Sequence, residues 1–420
     1  MKISESNLLR KPYFVLACLF AAMAASAFLF QTPYEIARGY WRIITVPDRL
    51  VTDYIAVGGL GAALINASLS SLLMILLLIV IKHKPVGLTF GVIGLVCGFA
   101  FFGKNPVNMA PIVFGAFLHA RYAKIPFSDR VLVAFCSTCL APVLMQVVHF
   151  PISMFISIPL GVLIGAMIGF VIGPFAVWAR CCHDGLNLYN VGFCSGIFAI
   201  MLMAIFRATG NYWYLVNIWS YGNNLALSII LAAMCVYLII IGLLVRKPEH
   251  SLRELMNMKA EGYNYYSVYG GGVYISMGVI GLFALAVPLV LGTQLNGLIV
   301  GAVISIIGFG ACGKKLRYIA PIFAGGILAA QFEWLTRGTV FQNPSIFVNI
   351  LFSACLSPFS EEFGIKWAVV AGFVHVNLAL SLGVMHGGMN LYNNGLAAGL
   401  TALILVPIVR GVRKQAIIKK

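Results

Sequence analysis

The residues best placed to do chemistry occur twice. His183-Asp-Gly-Leu-Asn187-Leu-Tyr189-Asn190-Val-Gly192 returns 203 positions later as His386-Gly-Gly-Met-Asn390-Leu-Tyr392-Asn393-Asn-Gly395. Each copy lies where one apolar run stops and the next begins, and a polar break at membrane depth is tolerated only where it is buried in protein or lines a cavity. Asn187, Asn190, Asn390 and Asn393 offer amide donors and acceptors, Tyr189 and Tyr392 a hydroxyl and a ring, and the glycines allow close backbone approach. Such groups suit a small polar solute; they equally suit a scaffold that satisfies the backbone of a broken helix and packs it tightly. His183 and His386 titrate near neutral pH, as a proton-coupled step requires; the alternative is that each caps a helix end.

A second pair is Gln146 and Glu362, an amide and a carboxylate related by a shift of 216. An ionisable residue inside a membrane segment is by default a functional candidate, which places Glu362 on a pathway. The competing reading puts Glu361 and Glu362 at the interface, paired with Lys366. Lys104 and Lys314 hold matched Gly-Lys positions just beyond a helix and read as snorkelling anchors. Cys136 and Cys139 have the spacing of a metal or redox pair but sit in an apolar segment without a second pair, and buried free thiols are expected. No metal or cofactor is implied.

The elements that position these residues follow from composition. Hydrophobic residues make up 61% of the 420 positions and charged residues 10%, against about 25% charged in soluble domains. The mean hydropathy is +0.97, so the chain is an all-α polytopic membrane protein. Fourteen apolar segments are expected as helices: 13–31, 54–81, 86–103, 106–121, 131–150, 153–179, 190–206, 222–245, 266–292, 294–311, 316–335, 345–360, 366–384 and 390–409. Several are short or rich in Gly and Pro, so 10–14 transmembrane or re-entrant helices are expected. Pro111, Pro321, Pro142 and Pro358 mark kinks or half-helix starts. The stretch 34–50, with Tyr40, Trp41 and three arginines, reads as interfacial. A cleaved secretory signal is the rival reading of the N-terminal apolar run.

The net charge of +16 comes from clusters at helix ends and not from a continuous patch, which argues against nucleic acid. Lys82/Lys84, Arg121/Lys124/Arg130, Arg246/Lys247, Lys314/Lys315/Arg317 and Arg410/Arg413/Lys414/Lys419/Lys420 fall on one side when every segment crosses. The positive-inside rule then puts both termini in the cytoplasm, while Lys2, Arg10 and Lys11 flank the first segment.

The duplication extends well beyond the Asn-Leu-Tyr-Asn motif. Gly87-Leu88, Gly98-Phe99, Gly103-Lys104 and Ala110-Pro111-Ile112 reappear 210 positions later, and Ser137, Cys139-Leu140 and Pro142 reappear 216 later. The chain divides into an N-terminal helix and interfacial segment (1–49), repeat 1 (50–245), a cytoplasmic linker (246–262), repeat 2 (263–412) and a basic tail (413–420). Equivalent segments are seven helices apart on this count, and an odd separation turns the second copy upside down.

With these residues in view, the chain resembles an uncharacterised bacterial family of multi-spanning membrane proteins carrying a domain of unknown function. It also bears a remote similarity to the urea transporter family, which has two inverted halves around a pore. There a Gln-Val-x-Phe element precedes a Gly-Leu-x-Gly-Tyr/Phe-Asn element; here Gln146-Val147 and Phe150 precede Gly185-Leu186 and Tyr189-Asn190, and Glu362-Phe363 precedes Tyr392-Asn393. The resemblance implies that Gln146, Phe150, Glu362 and Phe363 line a constriction. Phe150 stands one position late, and the family's Leu-Pro-x-x-Thr-x-Pro-Phe signature is absent.

The function expected is passage of a small polar solute, such as a urea-like amide, across the bacterial plasma membrane at the interface of the repeats. A proton- or cation-coupled carrier and an intramembrane enzyme acting on a lipid-linked substrate are the alternatives. Membrane lipids and further copies of the chain are the other partners expected.

Overall fold

The computed structural model describes residues 11–48, 52–215, 217–247, 249–257, 264–339 and 342–418. Lys2, Arg10, Arg49, Lys419 and Lys420 lie outside the described residues. Apolar stretches in hydrocarbon must satisfy every backbone N–H and C=O internally, and helices do so. Eleven helices among the described residues are long and apolar enough to cross a membrane, and two shorter apolar ones run over Gly87–Phe99 and Gly297–Cys312.

The first half comprises α1 (Pro12–Ser26), the amphipathic α2 (Pro33–Thr45), α3 (Leu60–Val80), α4 (Gly87–Phe99), α5 (Pro106–Tyr122), α6 (Val131–Val148), α7 (Met154–Cys182) and α8 (Asn190–Ala208). The second comprises α9 (Asn224–Val245), α10 (Val273–Val290), α11 (Gly297–Phe309), α12 (Leu316–Arg337), α13 (Pro344–Phe363), α14 (Ile365–Met385) and α15 (Asn393–Ile418). The expected division counts α9 in repeat 1 (50–245), but it packs on α10. Two expected segments divide: 54–81 breaks at Gly59, which has φ +89°, and 266–292 breaks at Gly270, with φ +53°. Pro142 and Pro358 each open the second helical piece of α6 and α13, after a short 3-10 turn.

Packing is reciprocal between the halves. α1 packs on α3 as α9 packs on α10, and α5 packs on α7 as α12 packs on α14. The halves meet where equivalent helices touch each other, α4 on α11 and α8 on α15. α4 and α11 run antiparallel: a Cβ on Gly94 would lie 2.9 Å from Gly308 Cα, and one on Gly98 2.3 Å from the Gly301 carbonyl oxygen. Small residues let the two backbones approach, which substitutes for the hydrophobic drive missing between helices in lipid.

Candidate functional site

Four chain breaks meet where the halves touch. In the loop between α7 and α8, Asn187 Oδ1 accepts the Tyr189 backbone N–H at 2.8 Å while its Nδ2 donates across the interface to the Gly395 carbonyl at 3.1 Å. The loop between α14 and α15 repeats this, with Asn390 accepting from Tyr392 N–H at 3.0 Å and donating to the Gly192 carbonyl at 3.4 Å. Leu188 N–H donates to the Cys355 carbonyl and Leu391 N–H to that of Cys139, at the 3-10 interruptions of α13 and α6. Each loop is thus held by the opposite half.

The histidines close these loops. Asn190 Nδ2 donates to the Ala176 carbonyl at 2.7 Å and Asn393 Nδ2 to that of Ala379 at 2.8 Å, which leaves each Oδ1 as an acceptor. His183 Nε2 and His386 Nε2 lie 3.0 Å from those oxygens and therefore carry the proton in this assignment. The arrangement is that of a helix-end clasp, the second of the two readings of these histidines.

The other two breaks carry the lysines. Gly103 and Gly313 have φ +90° and +81°, a left-handed turn open to glycine at no steric cost. A Cβ on Gly103 would also stand 2.6 Å from Leu391 Cδ2. The turn swings the next side chain inward, so Lys104 and Lys314 are both 0% exposed. This corrects the snorkelling reading. Lys104 Nζ donates to the Tyr392 hydroxyl at 2.6 Å, and Lys314 Nζ donates to the Tyr189 hydroxyl at 3.0 Å, each from one half to the other. Lys104 Nζ is also 4.4 Å from the centre of the Tyr392 ring and 5.5 Å from that of Phe99. Lys314 Nζ has Tyr189 at 4.8 Å and Phe309 at 5.0 Å. The five ion pairs among the described residues include neither lysine. Removing an ammonium from water costs several kcal/mol; a desolvated cation–π contact returns about 2 kcal/mol and one hydrogen bond to a charged group about 1.5–3. When protonated, each lysine is thus offset, among the described residues, only by a tyrosine hydroxyl and by aromatic faces.

Two cavities flank this centre. A wide one of about 520 Å³ has Val86 and Leu88 at the start of α4, Cys312 just beyond α11, and Tyr189, Asn190 and Tyr392 at its inner wall. A narrow one of about 160 Å³ has Leu298 at the start of α11, Phe102 just beyond α4, and Asn349, Phe352 and Asn393. Because α4 and α11 are antiparallel, the cavities lie at opposite ends of the pair. Phe352, 5.3 Å from Phe99 and 6.0 Å from Tyr189 between ring centres, belongs to the aromatic cluster separating them.

The Gln146 and Glu362 group is dispersed. Gln146 is buried and donates to the Asp48 carbonyl at 2.9 Å, lining neither cavity. Phe150 packs on Phe206 and Trp213 at 6.0 and 5.9 Å. Glu362 is half exposed and pairs with Arg410 at 3.1 Å, not with Lys366, while Arg410 also reaches Asp184 at 2.6 Å. Phe363 lies under Arg413, whose guanidinium is 5.1 Å from the ring centre. A shared constriction built from these four side chains is therefore corrected: a carboxylate at the end of α13 finds an exposed arginine, which satisfies it without a pathway. Sequence reasoning missed Lys104 and Lys314 as inward-facing groups, although their duplication at one offset was the available signal.

The fold and its buried polar centre define a multi-span, all-α membrane protein. A family model described as protein of unknown function (DUF1576) matches residues 32–208 and again 222–411, and the chain belongs to that family. No curated protein and no solved structure matches the chain.

Proposed function

We propose that the protein carries a small polar solute across the membrane between its two halves. The observation that supports this most is the pair of cavities at opposite ends of α4 and α11, meeting at one buried polar and aromatic centre. The halves act as inverted repeats, a reading supported by the antiparallel course of the equivalent helices α4 and α11. A filled aromatic centre between a wide and a narrow cavity favours a carrier that opens one end at a time over a permanently open channel.

Lys84 lies beside Val86 at the wide end and Arg180 lines the wide cavity. By the positive-inside rule that end faces the cytoplasm. The test is uptake by proteoliposomes across amides, carboxylates, ammonium and amino acids, with and without proton and sodium gradients. Saturable flux accelerated by solute on the opposite side is expected. No passage of any of these solutes above protein-free vesicles would overturn the reading, and linear, non-saturating flux would replace the carrier by a channel.

A further inference from the structure

The central tyrosines are arranged as donors with nothing to donate to. Each hydroxyl oxygen accepts from a buried ammonium, Tyr189 from Lys314 and Tyr392 from Lys104. A phenol that accepts in this way keeps its own proton for a further acceptor, and among the described residues neither hydroxyl makes such a bond. A neighbouring cation polarises the O–H and strengthens it as a donor. Both rings form the inner wall of the wide cavity. Two donors, each with a lysine behind it that lacks a carboxylate partner among the described residues, are complementary to a group that carries negative charge on oxygen and would hold those lysines protonated.

The rest of that cavity has a different character. Leu88, Leu95, Leu132, Val133 and Val177 line it, and Arg180, Asn187, Asn190 and Asn264 are the polar side chains of the remaining wall. A bare inorganic ion would leave those walls without a partner, whereas an apolar body attached to an anionic head covers both. We propose that the wide cavity binds a small organic monocarboxylate. Its head is held by the Tyr189 and Tyr392 hydroxyls in the field of Lys314 and Lys104, and its body lies on the leucine and valine walls. Only movement of the bound carboxylate across the membrane rests on the transport reading; the site itself does not require it.

The site can be examined by binding to the purified full-length protein in detergent or nanodiscs, using butyrate and benzoate against their neutral isosteres butyramide and benzamide. Carboxylates should bind about tenfold or more tightly than the amides. Lys314→Gln and Lys104→Gln should each remove most of that preference while leaving the weak amide binding in place. Tyr189→Phe keeps the ring and its packing and should weaken carboxylate binding about three- to tenfold, so the inference stays open to test if a lysine variant fails to fold. Equal affinity for butyrate and butyramide would overturn it, as would absence of binding at millimolar concentration or displacement of butyrate by equimolar chloride.

Flux separates this inference from the one beneath it. Lysine-dependent carboxylate binding without flux would support the site and sink the transport reading. Flux of neutral amides that is unchanged by either lysine variant would preserve transport and overturn the carboxylate site.

Discussion

The two ends of the α4 and α11 pair occupy equivalent positions in a duplicated sequence and are built differently. At the narrow end, Asp53 of the first half caps the second half's α11: Oδ2 accepts from Gly297 N–H at 3.0 Å, Ser220 N–H at 3.0 Å and the Ser220 hydroxyl at 2.6 Å, and Oδ1 accepts from Ile55 N–H at 2.9 Å. Asp48 extends the network, accepting from the Tyr54 hydroxyl at 2.8 Å and from Asn108 Nδ2 at 3.0 Å. At the wide end the corresponding residue is Asn264, whose Oδ1 accepts from Gly87 N–H at the start of α4 at 3.3 Å. A carboxylate holding four donors stands opposite an amide holding one long bond, and the cavities measure about 160 and 520 Å³. The residue standing at the start of each short helix thus differs in the number of donors it holds, as the cavities at the two ends differ in size.

The harshest way to break the comparison is to attack what the ends share. A Cβ on Gly115 would meet the Ala166 carbonyl oxygen at 1.9 Å, and one on Gly325 the Val369 carbonyl oxygen at 1.9 Å. Gly115→Val and Gly325→Val should therefore be equally damaging, each by more than about 3 kcal/mol, read as loss of folded monodisperse protein. Damage confined to one half would show that the copies do not bear equivalent packing.

Next in size is the cap. Asp53→Ala leaves buried donors unsatisfied and should cost about 3 kcal/mol, measured as a fall in Tm. The milder Asp53→Asn should make the narrow end resemble the wide one, so that a cysteine placed there by Asn217→Cys reacts faster with a water-soluble thiol reagent. The reverse exchange, Asn264→Asp, should tighten the wide end and slow reagents entering it.

Burial raises the Asp48 carboxyl to about 7, against the bonds from Tyr54 and Asn108, which pull it down. A carboxyl raised above its unfolded value near 4 contributes stability that is complete below pH about 4 and lost as pH rises through about 7. Wild type should therefore weaken relative to Asp48→Asn between pH about 5 and 8, by on the order of 2 kcal/mol. Parallel Tm profiles for the two proteins would place the charge elsewhere.

The smallest effect is expected at Glu362. Its equivalent, Gln146, is buried in the narrow-end network, and Gln146→Ala should cost about 1 kcal/mol. Glu362→Gln disturbs a half-exposed pair with Arg410, and such pairs contribute about 0–1 kcal/mol. Flux should be almost unchanged; a large change in its pH dependence would return Glu362 to the pathway.

All of the apolar segments read from composition and hydropathy are helices, because about 20 apolar residues in lipid have few other ways to satisfy their backbone. The duplicated Asn-Leu-Tyr-Asn motif was legible too, since local Asx turns at Asn187 and Asn390 need only their neighbours in the chain. What these residues touch was not legible. A lysine one residue past a helix reads as a surface anchor in either case, and Lys104 becomes a buried charge only because Tyr392, 288 positions away, arrives beside it. Likewise Glu362 reads as an intramembrane acid until Arg410 folds back from the last helix to meet it. Chain-local physics determined the helices, the breaks between them and the doubling of the motif. The direction of each ionisable side chain depended on partners distant in the chain, in the other half for Lys104 and in the last helix for Glu362, and only the tertiary structure decided that.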